Sequence, residues 1–304
     1  MNHASMTALI SLFARAYHAE HYDVKIFDDS LARALLSDEE YQKISDSMSG
    51  GISFFNPDFQ GTDAEALRWV VDNQLSPSPL GRAAFAEQAL QTAVSIGARQ
   101  YLILGAGFDT FAYRRPAWAL ALQVFEIDQA ATAEDKKKRL QRAGIAVPDR
   151  TQFIHTDFTQ PQWQASLLET PSFECGRISF CSLLGVVYYL SAHTFEALIA
   201  TLASLVPKGS SLVFDYPDKN SDTGHAGTRA KKQLQLADAA QEAMQASYSC
   251  ADMDKILSAH GFLVYEHLTP PEITRQYFEA FNCAQPMHPI RAFDNVNYCL
   301  AVKQ

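Results

Sequence analysis

A glycine turn behind an apolar run is the first feature of the sequence whose residue types suit ligand chemistry. The run Gln100–Leu104 leads into Gly105 and Gly107, and Asp109 and Thr110 follow. Glycine lets a backbone turn tightly and pass close to a ligand, and a helix that begins near Thr110 would offer free backbone N–H groups. The pattern predicts a cofactor-binding turn. Asp109 beside it would repel a pyrophosphate, which weighs against NAD.

Acidic residues end the next two predicted strands. Asp128 follows Val124–Ile127. It stands about twenty residues beyond the glycines, where a carboxylate can accept hydrogen bonds from both hydroxyls of a ribose, and this fits NAD and an adenosyl group equally. Asp157 and Phe158 follow Thr151–His155, where Asp157 can accept from an adenine amino group and Phe158 can flank the ring. Asp157 is equally consistent with a helix cap. Open α/β sheets bind ligands at the carboxyl ends of such successive strands.

Short apolar runs that alternate with helical segments must position these side chains. The alternation predicts an α/β fold with a parallel sheet and helices on both faces. The last two strands are expected to pair antiparallel at the sheet edge. The predicted strands are 100–104, 123–127, 151–155, 177–184, 211–216, 262–267 and 296–302, and the main helices between them are 130–143, 192–206 and 251–260.

The sequence before residue 97 is helical in character and contains no convincing strand. We expect one domain in which residues 1–92 form a helical cap and residues 93–304 form the α/β core, with a helical and loop insertion at about 218–250. The insertion is expected to begin with a loop over 218–227. Helices are predicted at 8–17, 29–37, 63–73, 81–93 and 228–247, with breaks at 47–51 and 76–79.

Composition excludes several classes of protein. The net charge of −9 makes a broad phosphate-binding surface, and hence a nucleic-acid partner, unexpected. Five cysteines without a CxxC pair argue against a disulfide scaffold and a cysteine zinc cluster, so no metal is predicted. The uncharged stretch 178–195 holds too many polar residues for a membrane span, and no signal peptide is visible. We therefore expect a cytoplasmic protein without a membrane partner.

Several motifs together resemble one family. The run Leu104-Gly-Ala-Gly-Phe-Asp-Thr110 with Tyr113-Arg114, followed by Phe125-Glu-Ile-Asp-Gln129, is similar to the leucine carboxyl methyltransferase family. Ile26-Phe-Asp-Asp29 and Gly185-Val-Val-Tyr-Tyr-Leu-Ser191 extend the resemblance over most of the chain. The family comprises S-adenosyl-L-methionine-dependent O-methyltransferases, including bacterial members linked to polyketide biosynthesis. The resemblance implies a class I methyltransferase-like Rossmann core, with a mostly parallel seven-stranded sheet and an antiparallel edge strand.

The resemblance also implies roles for individual residues. Arg82 would hold the methionine carboxylate of the cofactor. Asp128 would bind the ribose, supported by Glu126. Asp157 and Phe158 would contact the adenine. Family members usually carry a glutamate where this chain has Leu184, so a carboxylate contact with the amino-acid end of the cofactor would be lost. Arg15 is the nearest match to a basic residue expected in the first helix. The implied cofactor site contains Arg82, Gly105, Ala106, Gly107, Asp109, Asp128, Asp157, Phe158 and Leu184.

The acceptor side is less defined. Tyr17, Tyr188 and Tyr189 are predicted to contact the acceptor, and Asp215 and Tyr216 end a strand that can face the same cavity. A carboxylate nucleophile is already ionised at neutral pH, whereas a phenol would benefit from a general base such as a histidine. The candidates for that base are His18, His21, His155 and His193. No catalytic residue is assigned.

These features predict an S-adenosyl-L-methionine-dependent O-methyltransferase that acts on a carboxylate or hydroxyl of a small metabolite. The alternatives are a methyltransferase for the C-terminal carboxylate of a protein, a degenerate cofactor-binding protein without turnover, and an NAD-dependent oxidoreductase. The sequence assigns no oligomeric state.

Overall fold

The computed structural model describes residues 5–219, 227–229, 231–232, 235 and 244–304. Seven strands form one sheet: β1 (Gln100–Leu104), β2 (Gln123–Asp128), β3 (Thr151–His155), β4 (Ser179–Leu183), β5 (Ser211–Pro217), β6 (Phe262–Leu268) and β7 (Val296–Lys303). The α-helices are α1 (Met6–His21), α2 (Asp38–Gly50), α3 (Ile52–Phe55), α4 (Asp63–Val70), α5 (Pro77–Ser95), α6 (Ala130–Arg142), α7 (Ala165–Leu168), α8 (Ala192–Leu205), α9 (Cys250–Ala259), α10 (Pro270–Ile273) and α11 (Glu279–Ala284).

The sheet has the order β3-β2-β1-β4-β5-β7-β6. Strands β1 to β5 pair in parallel, and β7 is antiparallel to both of its neighbours. The predicted α/β fold and each predicted strand are confirmed. The antiparallel strand itself lies one position in from the edge. It takes the inner place because it buries Tyr298 and Cys299, whereas the edge strand β6 exposes Leu263 and Tyr265.

Both faces of the sheet are covered by apolar side chains. Along β1, Tyr101 and Ile103 pack on the face that carries α1 and α5, and Leu102 and Leu104 pack on the face that carries α8 and α9. Phe13 of α1 is fully buried in the first of these clusters. The helices that precede the sheet therefore share a core with it. The predicted boundary at residue 92 falls in the last turn of α5.

Two predicted helices are shorter than expected. The helix expected from Thr110 is a single 3-10 turn over Phe111–Tyr113, because the Asp109 carboxylate accepts the Phe111 N–H at 2.7 Å and Pro116 soon ends the segment. The helix expected at 29–37 is reduced to the 3-10 turn Arg33–Leu35.

Other differences concern the cap and the last third of the chain. The predicted break at 47–51 lies almost wholly inside α2, which begins with a capping box formed by Ser37 and Glu40. The short helices α10 and α11 had no sequence prediction. The expected loop 218–227 and helix 228–247 fall mostly outside the described residues, and Met244–Ser247 is not helical.

An ion pair joins the cap to the core. Glu40 of α2 accepts two hydrogen bonds from the Arg139 guanidinium of α6 at 2.9 and 2.8 Å, and a third from the Ser37 N–H at 2.9 Å. Arg139 also donates to the carbonyl oxygen of Leu35 at 3.1 Å. Burial raises the pKa of a carboxyl group, but the bonds from Arg139 and Ser37 outweigh it and lower the pKa of Glu40 to about 2.

We expect Glu40→Gln to lower the free energy of unfolding by about 1–2 kcal/mol at neutral pH. The folded-state pKa of Glu40 lies below its ordinary value of 4.5, so its contribution is complete above that value and is lost as the pH falls toward 2. Urea denaturation at about pH 7 and about pH 3 measures the difference. Glu39→Gln, on the exposed side of the same helical turn, is the matched control. A loss of equal size at both pH values would contradict this account.

Candidate active site

A cavity of about 1000 Å³ opens where the parallel strands end. Strands that run in the same direction bring their carboxyl ends to one edge of the sheet, so the turns after β1 to β4 meet there. The sheet side of the cavity consists of Gly105, Ala106, Gly107, Asp109, Asp128, Asp157, Phe158, Leu184, Tyr188 and Tyr189. The helices add Ile10 and Arg15 from α1, Glu40, Lys43, Ile44, Ser47 and Met48 from α2, and Gln74, Leu75, Ser78 and Arg82 from the end of α4 to α5.

The glycine turn and Asp128 are held together. Gly105 has a φ of +73°, and a Cβ at this position would overlap the Val186 side chain, so only glycine fits. One carboxylate oxygen of Asp128 accepts the Gly107 N–H at 2.6 Å, and the other accepts the Gln129 N–H at 2.7 Å. Burial raises the pKa of Asp128 in spite of these bonds. The carboxylate is thus fixed at the cavity wall.

Glu126 does not join Asp128 in the cavity. Its side chain is fully buried, forms an ion pair with Lys136 at 2.8 Å and accepts from the Tyr113 hydroxyl at 3.0 Å. The predicted support of the ribose by Glu126 is therefore corrected, because this carboxylate neutralises a buried lysine behind the sheet edge instead.

Asp157 and Phe158 line the cavity after β3. One oxygen of Asp157 accepts the N–H and the hydroxyl of Thr159, at 2.9 and 2.7 Å. Burial raises the pKa of a carboxyl group, but these bonds outweigh it and the pKa of Asp157 is lowered. The ring of Phe158 packs edge-on against Trp163. One oxygen of Asp157 therefore closes a turn with Thr159.

The guanidinium of Arg82, which projects from α5, is anchored at the sheet edge by a buried carboxylate. Its guanidinium lies 3.3 Å from Asp215, which is completely buried at the end of β5. Asp215 also accepts the Gly185 N–H at 2.6 Å and the Tyr188 hydroxyl at 2.9 Å. Burial disfavours the charged guanidinium, but the Asp215 carboxylate outweighs this and raises the pKa of Arg82. Asp215 itself is not part of the cavity wall, and Tyr216 is turned away and contacts His267 at 2.6 Å.

Arg15 is held beside the glycine turn by Asp29. Its guanidinium donates to Asp29 at 2.9 Å and to the Phe108 carbonyl oxygen at 2.7 Å. Asp29 also accepts the Thr110 hydroxyl at 2.6 Å and lies 3.5 Å from Arg114. Arg15 therefore lines the cavity as a positioned charge, and Asp29 connects α1 to the turn.

The three predicted acceptor contacts do not all reach the cavity. Tyr188 and Tyr189 line it, and the Tyr188 hydroxyl is engaged by Asp215. Tyr17 is absent from the wall: it is 5% exposed and stacks on His21 with ring centroids 3.9 Å apart. We therefore correct the prediction for Tyr17, because its place on α1 turns the ring into the helical cap.

No histidine lines the cavity within the part of the chain that the structure describes. His18 is buried in the cap, where its Nε2 accepts the Ile26 N–H at 2.9 Å and burial lowers its pKa to about 4. His155 lies 3.5 Å from Glu134 at the surface, and His193 is exposed. The histidines considered as general bases are therefore not placed at the site.

The cap contributes wall residues that sequence motifs did not indicate. Lys43 of α2 is exposed at the cavity and has no ion-pair partner among the described residues, and Gln74 is buried there. Met244 lies on the opposite wall, where the adjoining Gln245 N–H donates to the Tyr188 carbonyl oxygen at 2.8 Å. Only the tertiary packing of the cap identifies these residues, because none of them belongs to a recognisable motif.

Comparison with solved structures confirms the class of fold. A DUF574 family protein from Streptomyces avermitilis MA-4680 superposes with a TM-score of 0.61 and 14% identity, covering 99% of this chain and 98% of that chain. A "putative methyltransferase" from Thermobifida fusca YX gives a TM-score of 0.56 with 14% identity, over 99% and 96% of the two chains. The fold is of the Rossmann-like class I methyltransferase type.

Sequence comparison identifies the family. The leucine carboxyl methyltransferase model matches residues 8–203, and the chain belongs to this family. A Bacillus subtilis (strain 168) protein named "Putative S-adenosyl-L-methionine-dependent methyltransferase YktD" is 39% identical over 100% of this chain and 99% of its own length. A similarly named protein from Mycobacterium marinum is 30% identical over 60% of this chain and 56% of its own. The chain is a methyltransferase, and its cofactor is S-adenosyl-L-methionine. The alternative of an NAD-dependent oxidoreductase is therefore rejected.

The wall of the cavity fits this cofactor. A carboxylate offers about four lone-pair sites, so Asp128 can accept ribose hydroxyls in addition to its two backbone N–H groups. Arg82 and Arg15 are the cations at the sheet edge that suit a methionine carboxylate. Of the predicted cofactor residues, all nine line this one cavity, Leu184 included. No cluster of three or more potential metal ligands occurs among the described residues, and no helix among them is long and apolar enough to cross a bilayer.

We expect Asp128→Asn to weaken binding of S-adenosylhomocysteine by about ten- to a hundredfold, because a hydrogen bond to a charged group is worth about 1.5–3 kcal/mol. The amide oxygen can still accept the Gly107 N–H, whereas the bond from the Gln129 N–H is lost. Isothermal titration calorimetry measures the affinity, with the exposed Asp149→Asn as control. Equal affinities for both variants would remove Asp128 from the cofactor site.

Proposed function

We propose that the enzyme transfers a methyl group to a carboxylate oxygen of a small-molecule acceptor. The observation that carries the proposal is the absence of a histidine from the described cavity wall, where every carboxylate already accepts a hydrogen bond. No histidine lies there, and each wall carboxylate has a structural partner: Glu40 pairs with Arg139, and Asp109, Asp128 and Asp157 accept backbone N–H groups. A carboxylic acid is ionised at neutral pH and needs no proton removed.

The distribution of charge over the wall supports an anionic acceptor. The carboxylates Asp109, Asp128 and Asp157 stand on the sheet side, where the cofactor belongs. On the cap side, Glu40 is compensated by Arg139, whereas Lys43 is an exposed ammonium without an ion pair among the described residues. A negative acceptor that enters past α2 therefore meets a net positive charge.

The chain's own residues mainly bind and orient. When bound, S-adenosyl-L-methionine supplies an electrophilic methyl group on a sulfonium. Asp128 holds the ribose, Arg82 holds the methionine carboxylate, and Asp215 fixes Arg82 and the turn at Gly185 in one arrangement. Leu184 and Tyr189 border the space after β4 in which the acceptor is oriented. Helices α1 and α2 cover this space and restrict water, which is what an in-line displacement requires.

The size of the cavity supports a small acceptor. Ligand cavities commonly measure about 300–1000 Å³, so a cavity at the upper end can hold the cofactor and a second small molecule. The C-terminal carboxylate of a protein has the same reacting group, and a peptide acceptor is a distinct outcome of the experiment below.

We expect methyl esters as products from a panel in which each carboxylic acid is matched with the corresponding alcohol or phenol. Esters are recognised by their hydrolysis in base, which ethers resist. Because the nucleophile is ionised throughout, kcat/KM should vary little between about pH 6 and pH 9. Peptides with a free and an amidated C-terminus test the protein substrate. Base-stable ethers, or a kcat/KM that rises with pH over this range, would contradict the proposal.

A further inference from the structure

Gln74 is a buried residue on the cavity wall whose side-chain oxygen lacks a hydrogen-bond partner. The residue is 6% exposed, and its Oε1 has no hydrogen-bond partner among the described residues. Nearly all buried polar side chains are hydrogen-bonded, because leaving one unpaired costs a substantial part of its hydration. An unpaired amide that faces a cavity therefore indicates a ligand as the missing partner.

The local backbone of Gln74 is unusual. Residues Val71–Leu75 form a π-helical turn between α4 and α5. Such turns are rare in proteins, and those that occur are often found at functional sites. The other polar side chains of the turn are paired: Asp72 accepts from the Tyr22 hydroxyl at 2.7 Å, and Asn73 donates to the Trp69 carbonyl oxygen at 2.9 Å. The π-turn thus places Gln74 on the cavity wall and pairs its other polar side chains within the cap.

Gln74 belongs to the acceptor end of the cavity. Gln74, Ser78 and Arg82 follow one another at four-residue intervals and line the same cavity. Gln74 stands about two helical turns before Arg82, which serves the cofactor at the sheet edge. Apolar side chains of the same cavity wall are Ile44, Met48, Leu75 and Met244.

We propose that the acceptor is a mainly apolar carboxylic acid that carries one uncharged oxygen or amide group away from the reacting carboxylate, and that Gln74 binds this group. The inference rests on the proposed function and adds the substrate class. An amide side chain both donates and accepts, so a hydroxyl, a ketone or an amide can pair with it. The apolar wall requires the apolar body, and Met48 and Met244 adapt to its shape.

The test compares acids with and without the distal polar group. Medium-chain fatty acids and aryl-alkyl acids are offered beside their hydroxy- and keto-substituted counterparts, and kcat/KM is measured for each, together with binding to the complex with S-adenosylhomocysteine. We expect the parent enzyme to prefer the substituted acids by about tenfold, the usual value of one neutral hydrogen bond in a buried site. Gln74→Leu should abolish the preference, so that its kcat/KM for a substituted acid equals its own value for the unsubstituted counterpart.

Two controls separate recognition from structure. Gln74→Leu removes an amide without partners, so its unfolding midpoint and its affinity for S-adenosylhomocysteine should match those of the parent. Gln141→Leu, exposed on α6 and outside the cavity, should keep the preference of the parent. If Gln74→Leu retains the preference for the substituted acids, or if the parent shows no such preference, only the role of Gln74 is overturned. A parent that binds no acid of the panel overturns the acceptor class, and methylation of alcohols alone overturns the proposed function as well.

Discussion

The fully buried carboxylate of Asp215 fixes the relation between the cap and the sheet edge. An ionised group in the interior is tolerated only when charges and hydrogen bonds replace its hydration. Asp215 meets this requirement with the guanidinium of Arg82, the N–H of Gly185 and the hydroxyl of Tyr188. These partners come from α5, from the turn after β4 and from the 3-10 turn that follows it. The cost of leaving the carboxylate unpaired therefore holds three separate segments in one arrangement.

Two consequences for the site follow from this arrangement. Gly185 has a φ of +70°, and a side chain there would overlap the guanidinium of Arg82, so the close approach requires glycine. Because Arg82 is anchored, the direction of α5 is also fixed, and with it the position of Ser78 on the same helix and of Gln74 in the π-turn that precedes it. Asp29 anchors α1 in the same way, because it accepts hydrogen bonds from Arg15 of α1 and from Thr110 beside the glycine turn.

The sequence predicted the sheet well because buried parallel strands are short apolar runs between turns. All seven strands lie where expected, and Asp128, Asp157 and Leu184 converge because parallel strands end at one edge. Residues without strand context were harder to place. The 3-10 turn after Thr110 depends on one hydrogen bond from the Phe111 N–H to the Asp109 carboxylate, and the burial of Tyr17 depends on which face of α1 packs inward. Asp215 ends a predicted strand, but its partners lie in segments far apart in the sequence.

The net charge of the whole chain is a poor guide to the charge of the acceptor. The net charge of −9 counts carboxylates that the structure places in separate environments. Around the cavity, the acids of the sheet wall belong to the cofactor side, Glu40 is neutralised by Arg139, and Asp29 and Asp215 offset Arg15 and Arg82. Electrostatic interactions between exposed charges are screened beyond about 10 Å, so distant surface acids contribute little inside a covered cavity. The charge that remains on the cap side is the Lys43 ammonium, and the proposal of an anionic acceptor rests on this local charge and not on the net charge of the chain.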